Sequence, residues 1–281
     1  MTAQRARKAL TTCLLAAFVL LSTALAPLSA EPVSLKTLLE EMVDRDHLAR
    51  FPAPAYVCRQ FSSYDRGTVA PDQPGWFANW DRSQFVRQEE NAGRKEWVLL
   101  DADGPGAIVR FWGTWHGPRG GPFSNGTMRV YLDGQPEPAI QGPIADLISG
   151  QALVAPPFSE SVSPDSPYER RGHNLYLPIP YAKHCKITYE SDKLTDIGGK
   201  QGEALYYQIN YRTYEPGTDV VTFARGQLEE HASVLARAGE RLVQSGRDKA
   251  EGTRGAAEFE GDLAPGRKLP LRLEGPAAVQ P

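Results

Sequence analysis

Between residues 204 and 214 the chain alternates without a break. Leu205, Tyr207, Ile209 and Tyr211 fall on one side, Tyr206, Gln208, Asn210 and Arg212 on the other. Successive side chains of an extended strand point to opposite faces, so the stretch predicts a strand with one apolar face and one polar face. Such a strand needs a sheet to bury its apolar side. Residues 128–132 repeat the pattern, with Met128, Val130 and Leu132 opposite Arg129 and Tyr131, and Asp133-Gly134 then gives a hairpin turn signal. Further strands are expected over 56–63, 95–101, 107–115 and 184–189, with a turn at 102–106. Glycine and proline total 49 residues, enough to punctuate many strands. Long loops fall at 116–127 and 153–172, and loops on a sheet scaffold are where binding residues gather.

Two helices flank the strands. Over 34–50, Leu35, Leu38, Leu39, Met42 and Val43 share a face and Ser34 can cap the start. Over 225–245, Leu228, Ala232, Leu235, Leu242 and Val243 share a face, and Gly246 ends the pattern. Residues 246–262 are charged and glycine-rich, as a linker is. At the other end, Arg5, Arg7 and Lys8 precede an apolar run over 14–21 and a small-residue exit, Pro27-Leu28-Ser29-Ala30. That order describes a secretory signal peptide over 1–30, cut after Ala30; Ala24-Leu25-Ala26 also fits a cut, though Pro27 would follow it, and an uncleaved anchor is the alternative. The run is shorter than the roughly 20 apolar residues of a membrane span. The expected location is therefore secreted or periplasmic, with no membrane attachment after cleavage.

Charge and motifs exclude several functions. Removing Arg5, Arg7 and Lys8 from the 31 basic residues leaves 28 against 34 acidic, a net charge of −6, which argues against nucleic acid as a partner. There is no nucleophile elbow, phosphate loop or His-Glu-x-x-His. The five histidines lack metal-ligand spacing, so no metal or other cofactor is expected. Asp101-Ala102-Asp103-Gly104 begins like a calcium loop but lacks the remaining ligands, and suits a turn better. Asn125-Gly126-Thr127 fits a glycosylation acceptor or a tight polar turn. Oxidising conditions outside the cell permit a disulfide between Cys58 and Cys185; two buried thiols are the alternative.

All five tryptophans lie between residues 76 and 115. Flat rings stack on sugar faces, while carboxylates, amides and arginine hold hydroxyls. Arg110 and Trp112 share a strand face by alternation. Asn79-Trp80-Asp81 sets an amide, a ring and an acid side by side. Trp97 and Trp112 also suit a core, where large aromatics dominate burial; Trp76 and Trp80, among Gly, Asn and Asp, suit a surface. Glycosidases use two carboxyl groups at a fixed separation. Asp65, Asp81, Glu96, Asp101, Asp133 and Asp146 lie near turns and strand ends, and no pair stands out among them.

An internal repeat adds to this. Residues 98–109 and 269–279 both run from an apolar strand through an acid and Gly-Pro to a small pair and a β-branched residue. Duplication of a β unit is the expected origin, with the second β domain beginning near residue 263; chance similarity of a short turn motif is the alternative.

The stretches 59–66, 79–87, 96–112, 131–134 and 174–183 together resemble glycoside hydrolase family 172. The resemblance runs from about residue 35 to the end of the chain. It implies two consecutive jelly rolls per subunit, trimer-based homo-oligomers, and exo-acting cleavage or transfer on fructofuranosides or arabinofuranosides by two glutamates. Those glutamates are implied to lie in the second roll, so that no position of this sequence takes their role and the first roll supplies binding residues. Asp65, Arg66, Asn79, Trp80, Asp81, Arg110 and Trp112 are the candidates. The expected organisation is a signal peptide over 1–30, a jelly-roll-like β-sandwich with a leading helix over 31–224, a helix and linker over 225–262, and the start of a second β domain over 263–281. Two functions stay open: a furanoside-acting glycosidase or its N-terminal part, with carbohydrate as partner, and a non-catalytic carbohydrate-binding or assembly module. The chain alone is expected to show no turnover and to self-associate.

Overall fold

The computed structural model describes residues 31–162, 165, 171–244, 262, 264–268 and 270. The expected signal peptide, most of the linker and all but one residue of the second copy of the repeat lie outside the described residues. The strands are β1 (Tyr56–Ser62), β2 (Arg87–Asn91), β3 (Arg94–Asp103), β4 (Gly106–His116), β5 (Thr127–Leu132), β6 (Ile140–Pro143), β7 (Ser159–Ser161), β8 (His173–Leu175), β9 (Ile179–Tyr181), β10 (His184–Glu190) and β11 (Ala204–Tyr214). They form two antiparallel sheets. One runs β1-β11-β4-β8-β7, with β9 also on β4; the other runs β2-β3-β10-β5-β6. This is an all-β sandwich: the alternation predicts half-buried sheets, and the resemblance implies their packing as a sandwich.

The inward faces make one core. Leu205, Tyr207, Ile209 and Tyr211 of β11 meet Ile108, Phe111 and Trp115 of β4 on one side. Trp97, Leu99, Leu100 and Ala102 of β3, with Met128, Val130 and Leu132 of β5, close it from the other. Packing of this kind contributes roughly 1.5–3 kcal/mol for each large side chain fully removed from water. Asp133 and Gly134 both take positive φ, at 53° and 73°, which the turn after β5 requires and glycine adopts freely. The sequence pattern missed β2, β6 and β7–β9, which are short or lack alternation.

Helix α1 (Leu35–Val43) is capped by Ser34, whose side chain accepts from the Thr37 N–H while Thr37 Oγ1 accepts from the Ser34 N–H. The expected single helix over 34–50 stops at Val43 and continues as a separate 3-10 turn, Arg45–Ala49, because the Asp44 side chain caps a new start. α2 (Ile144–Ile148) follows β6. The helix expected over 225–245 is broken at His231 into α3 (Gln227–Glu230) and α4 (Ala232–Gln244). α1 and α4 pack together. Leu38 joins Val33, Ala107, Tyr214 and Val220 in a small second core on the outer side of the first sheet. An Arg212 to Glu41 ion pair of 2.6 Å ties α1 to β11. Much of the remaining outer face of that sheet carries the polar side chains of β1, β4 and β11.

Cys58 is exposed on β1 in one sheet and Cys185 is buried on β10 in the other; both are free thiols. Burial pushes the Cys185 thiol well above its ordinary range, which keeps it protonated and inert.

Candidate functional site

The alternation that buries Leu205 and Tyr207 turns Tyr206, Gln208 and Asn210 outward, and strand register sets what stands beside them. Ser62 of β1 pairs with Gln208, Gln208 with Trp112 of β4, and Trp112 with Asn174 of β8. A hydroxyl, an amide, an indole and a second amide thus form one row across four strands. The next row toward the helices holds Gln60, Asn210 and Arg110, joined by hydrogen bonds. Arg110 Nη1 donates to Asn210 Oδ1 at 3.4 Å, Arg110 Nη2 to Asn174 Oδ1 at 3.2 Å, and Asn210 Nδ2 to Gln60 Oε1 at 3.0 Å. On the other side of the first row, Thr114 pairs with Tyr206.

A cleft of about 400 Å³ opens over this part of the sheet. Trp112, Tyr206 and Tyr64 give it rings; Ser62, Thr114, Gln208 and Asp81 give it hydroxyl, amide and carboxyl groups. Such a concave mixture of flat apolar surface and convergent polar groups suits a small polyhydroxylated ligand. Gly172 makes the position of Trp112 possible, since a Cβ there would lie 2.7 Å from Trp112 Nε1 and 3.1 Å from Val162 Cγ2. We expect Gly172→Ala to push the indole and weaken any ligand of the cleft by about tenfold, with little loss of fold. Titration calorimetry beside thermal unfolding checks this, and unchanged affinity would show that Trp112 does not touch the ligand.

The seven candidate residues do not converge on one spot. Asp81 and Trp112 line the cleft. Arg110 lies one row away and orients Asn174 and Asn210. Asp65 is a staple: Oδ1 accepts from Gly67 N–H at 2.9 Å, Oδ2 from Trp80 N–H at 2.9 Å, and its own N–H donates to Asp81 Oδ1 at 2.8 Å. Arg66 donates to the Gln84 carbonyl at 2.8 Å and stacks on Tyr64. Asn79 and Trp80 stand on the exposed loop beyond, where Trp80 Nε1 donates to the Gly198 carbonyl at 2.6 Å and Lys200 lies 5.4 Å from its ring. Sequence reasoning missed Tyr64, Ser62, Thr114, Tyr206 and Gln208. The signal for the last two was the polar half of the 204–214 alternation.

The wall beyond Tyr206 is fixed by Arg82, which is buried. Its Nε donates to the Gly199 carbonyl at 2.7 Å, Nη2 to the Gly202 carbonyl, and Nη1 to His116 Nε2 at 3.2 Å. His116 Nδ1 then faces the Gly117 carbonyl at 2.8 Å, the pattern of an imidazole protonated at Nδ1.

A second polar cluster lies on the outer face of the other sheet. Glu96 is fully buried there. Its carboxylate accepts from Thr188 at 2.8 Å, Tyr131 at 3.0 and 3.2 Å, Arg94 at 3.1 Å and Asn91 at 3.4 Å, with Arg129 3.6 Å away. Burial alone would raise its pKa, but these donors outweigh burial and hold it below the ordinary range. Asp101, bridged to Arg87 at 2.5 Å and His184 at 2.6 Å, is lowered in the same way. Asp133 is lowered by Thr222 and backbone N–H groups against the same burial penalty. Among the described residues no group of three His, Cys, Asp or Glu side chains gathers to hold a metal ion.

Two packed antiparallel sheets, with a ring-and-hydroxyl cleft on the outside of one, define the class as an antiparallel β-sandwich domain. The chain belongs to glycoside hydrolase family 172: the model of the GH172 first β-sandwich domain matches residues 54–231, more than half of its length. No curated protein matches the chain.

Proposed function

We propose that this chain supplies the sugar-holding sandwich of an exported, furanoside-acting glycosidase, and that bond cleavage belongs to carboxylates outside its described residues. The observation that carries this reading is the Ser62–Gln208–Trp112–Asn174 row beneath the cleft. A sugar ring laid on Trp112 would place its hydroxyls over Gln208, Thr114 and Asp81. Three buried or partly buried carboxyls are unsuited to the acid role. A glycosidase acid needs a raised pKa so that it carries a proton to the leaving oxygen. Glu96, Asp101 and Asp133 are all shifted the other way, held ionised by structural donors. Fructofuranosides and arabinofuranosides are the proposed substrates, and a trimer-based homo-oligomer the proposed assembly; both rest on the family. Export, to the periplasm or beyond, rests on the basic start and apolar run of residues 1–30.

The test uses the chain from Glu31 onward with nitrophenyl α- and β-fructofuranosides and arabinofuranosides. Binding by calorimetry without turnover is the expected result. Turnover lost on Asp81→Asn would move the chemistry into this cleft and overturn the division of labour. Absence of binding to every furanoside would overturn the reading itself.

A further inference from the structure

The loop joining β1 to β2 is unusual for what it leaves in water. Tyr64, Trp76, Phe77 and Trp80 are 54%, 50%, 66% and 40% exposed, though large aromatic rings are the side chains that gain most from burial. The loop itself is not loose. Its ends are closed by the Asp65 N–H donating to Asp81 Oδ1 and the Trp80 N–H donating to Asp65 Oδ2. Thr68 Oγ1 donates to the Ala78 carbonyl at 3.3 Å, and Pro71 and Pro74 restrict the chain between. Turn bonds from Gln73 N–H to the Ala70 carbonyl and from Trp76 N–H to the Gln73 carbonyl fix the tip. This is a closed, self-braced Ω-type loop holding rings outward.

Its two ends are also walls of the cleft, since Tyr64 and Asp81 line it. Trp76 is five residues from Asp81, a span of at most about 18 Å even if fully extended. Trp76 and Phe77 therefore stand within reach of the cleft mouth on the scale of a short oligosaccharide. We infer that the Trp76–Phe77 tip is a stacking platform for the sugar units that follow the one in the cleft, so that the site takes furanoside chains rather than single glycosides. This rests on the proposed function and adds chain length to it. The chemistry favours a glycan over a protein surface. The rings are interleaved with Asp72, Gln73, Asn79 and Asp81, which can meet hydroxyls at the ring edges. Because the loop is already ordered, binding sacrifices little conformational freedom.

Calorimetry with linear arabinofuranan and inulin-type oligosaccharides, from disaccharide to hexasaccharide, tests this. Affinity should rise about tenfold along the better series for the unaltered chain. The Trp76→Ala, Phe77→Ala double variant should keep its disaccharide affinity and lose the rise. Both side chains are exposed, so thermal unfolding should not move. A flat series in the unaltered chain, with the disaccharide bound, would overturn this inference and leave the proposed function standing. Persistence of the rise in the double variant would overturn it too. If that variant changes the sedimentation of the protein while the rise persists, the rings serve contact between copies of the chain. Failure of every length to bind would instead remove the proposed function beneath it.

Discussion

Replacing Glu96 with alanine should cost about 3–5 kcal/mol of stability, the usual penalty for removing one partner of a buried ionic cluster. The residue is wholly out of water, and its loss would leave Thr188, Tyr131 and Arg129 facing a void in which water cannot freely replace the carboxylate. Arg129 would keep only its Glu190 contact, at 2.7 Å. For a sandwich of this size the midpoint of thermal unfolding should fall by about 10 °C. Asp101→Ala should cost far less, since that carboxylate is partly exposed and its pairs are screened. The pH dependence follows from the direction of the Glu96 shift. The unfolded carboxyl takes up a proton near its ordinary value of 4.5, whereas the folded one resists until lower pH. The contribution is therefore complete above that value and is lost as pH falls through the folded pKa. Denaturant unfolding at neutral pH and at mildly acid pH, on the native chain and Glu96→Ala, checks both points. A cost below about 1 kcal/mol would mean that the cluster is readily hydrated.

Trp112→Ala should raise the dissociation constant for a bound furanoside by about tenfold to a hundredfold, roughly the 1.4–2.8 kcal/mol that a lost ring contact and its ordered neighbours represent. Its fold cost should be modest because the indole is only half-buried. Trp97→Ala is the matching control. That indole is 1% exposed, packs against Phe85 at a 5.4 Å centroid distance, and its loss should cost about 3–5 kcal/mol through the cavity left behind. Calorimetry and denaturant unfolding on both variants separate the two roles. Equal affinity in Trp112→Ala and the native chain would remove the row from the site.

Those two tryptophans show where reading the sequence stopped. Both sit in β-prone stretches within sixteen residues of each other, and both suited a core. Alternation placed Trp112 on the face of Arg110, but it could not say whether that face meets water, a helix or the other sheet. The 204–214 strand was legible for the opposite reason. Its apolar and polar halves differ so much in hydration free energy that only one register is tolerable. β6 and β7–β9 carry no such contrast, and were set by the strands that flank them. Asp65 looked like a ligand group, yet the structure spends both of its oxygens on the loop it closes.

The sequence alone determined the all-β class, the long amphipathic strands, the capped start of α1 and the region where aromatic and polar groups mix. Each is a local property, decided by side-chain period or by hydrogen bonds within a few residues. Tertiary structure alone decided that Ser62, Gln208, Trp112 and Asn174 stand in one row, although Ser62 and Gln208 lie almost 150 residues apart. It also decided that Glu96 is buried on the outer side of a sheet. Strand order and register bring such groups together, and both are chosen by the free energy of the whole sandwich rather than by any segment of it.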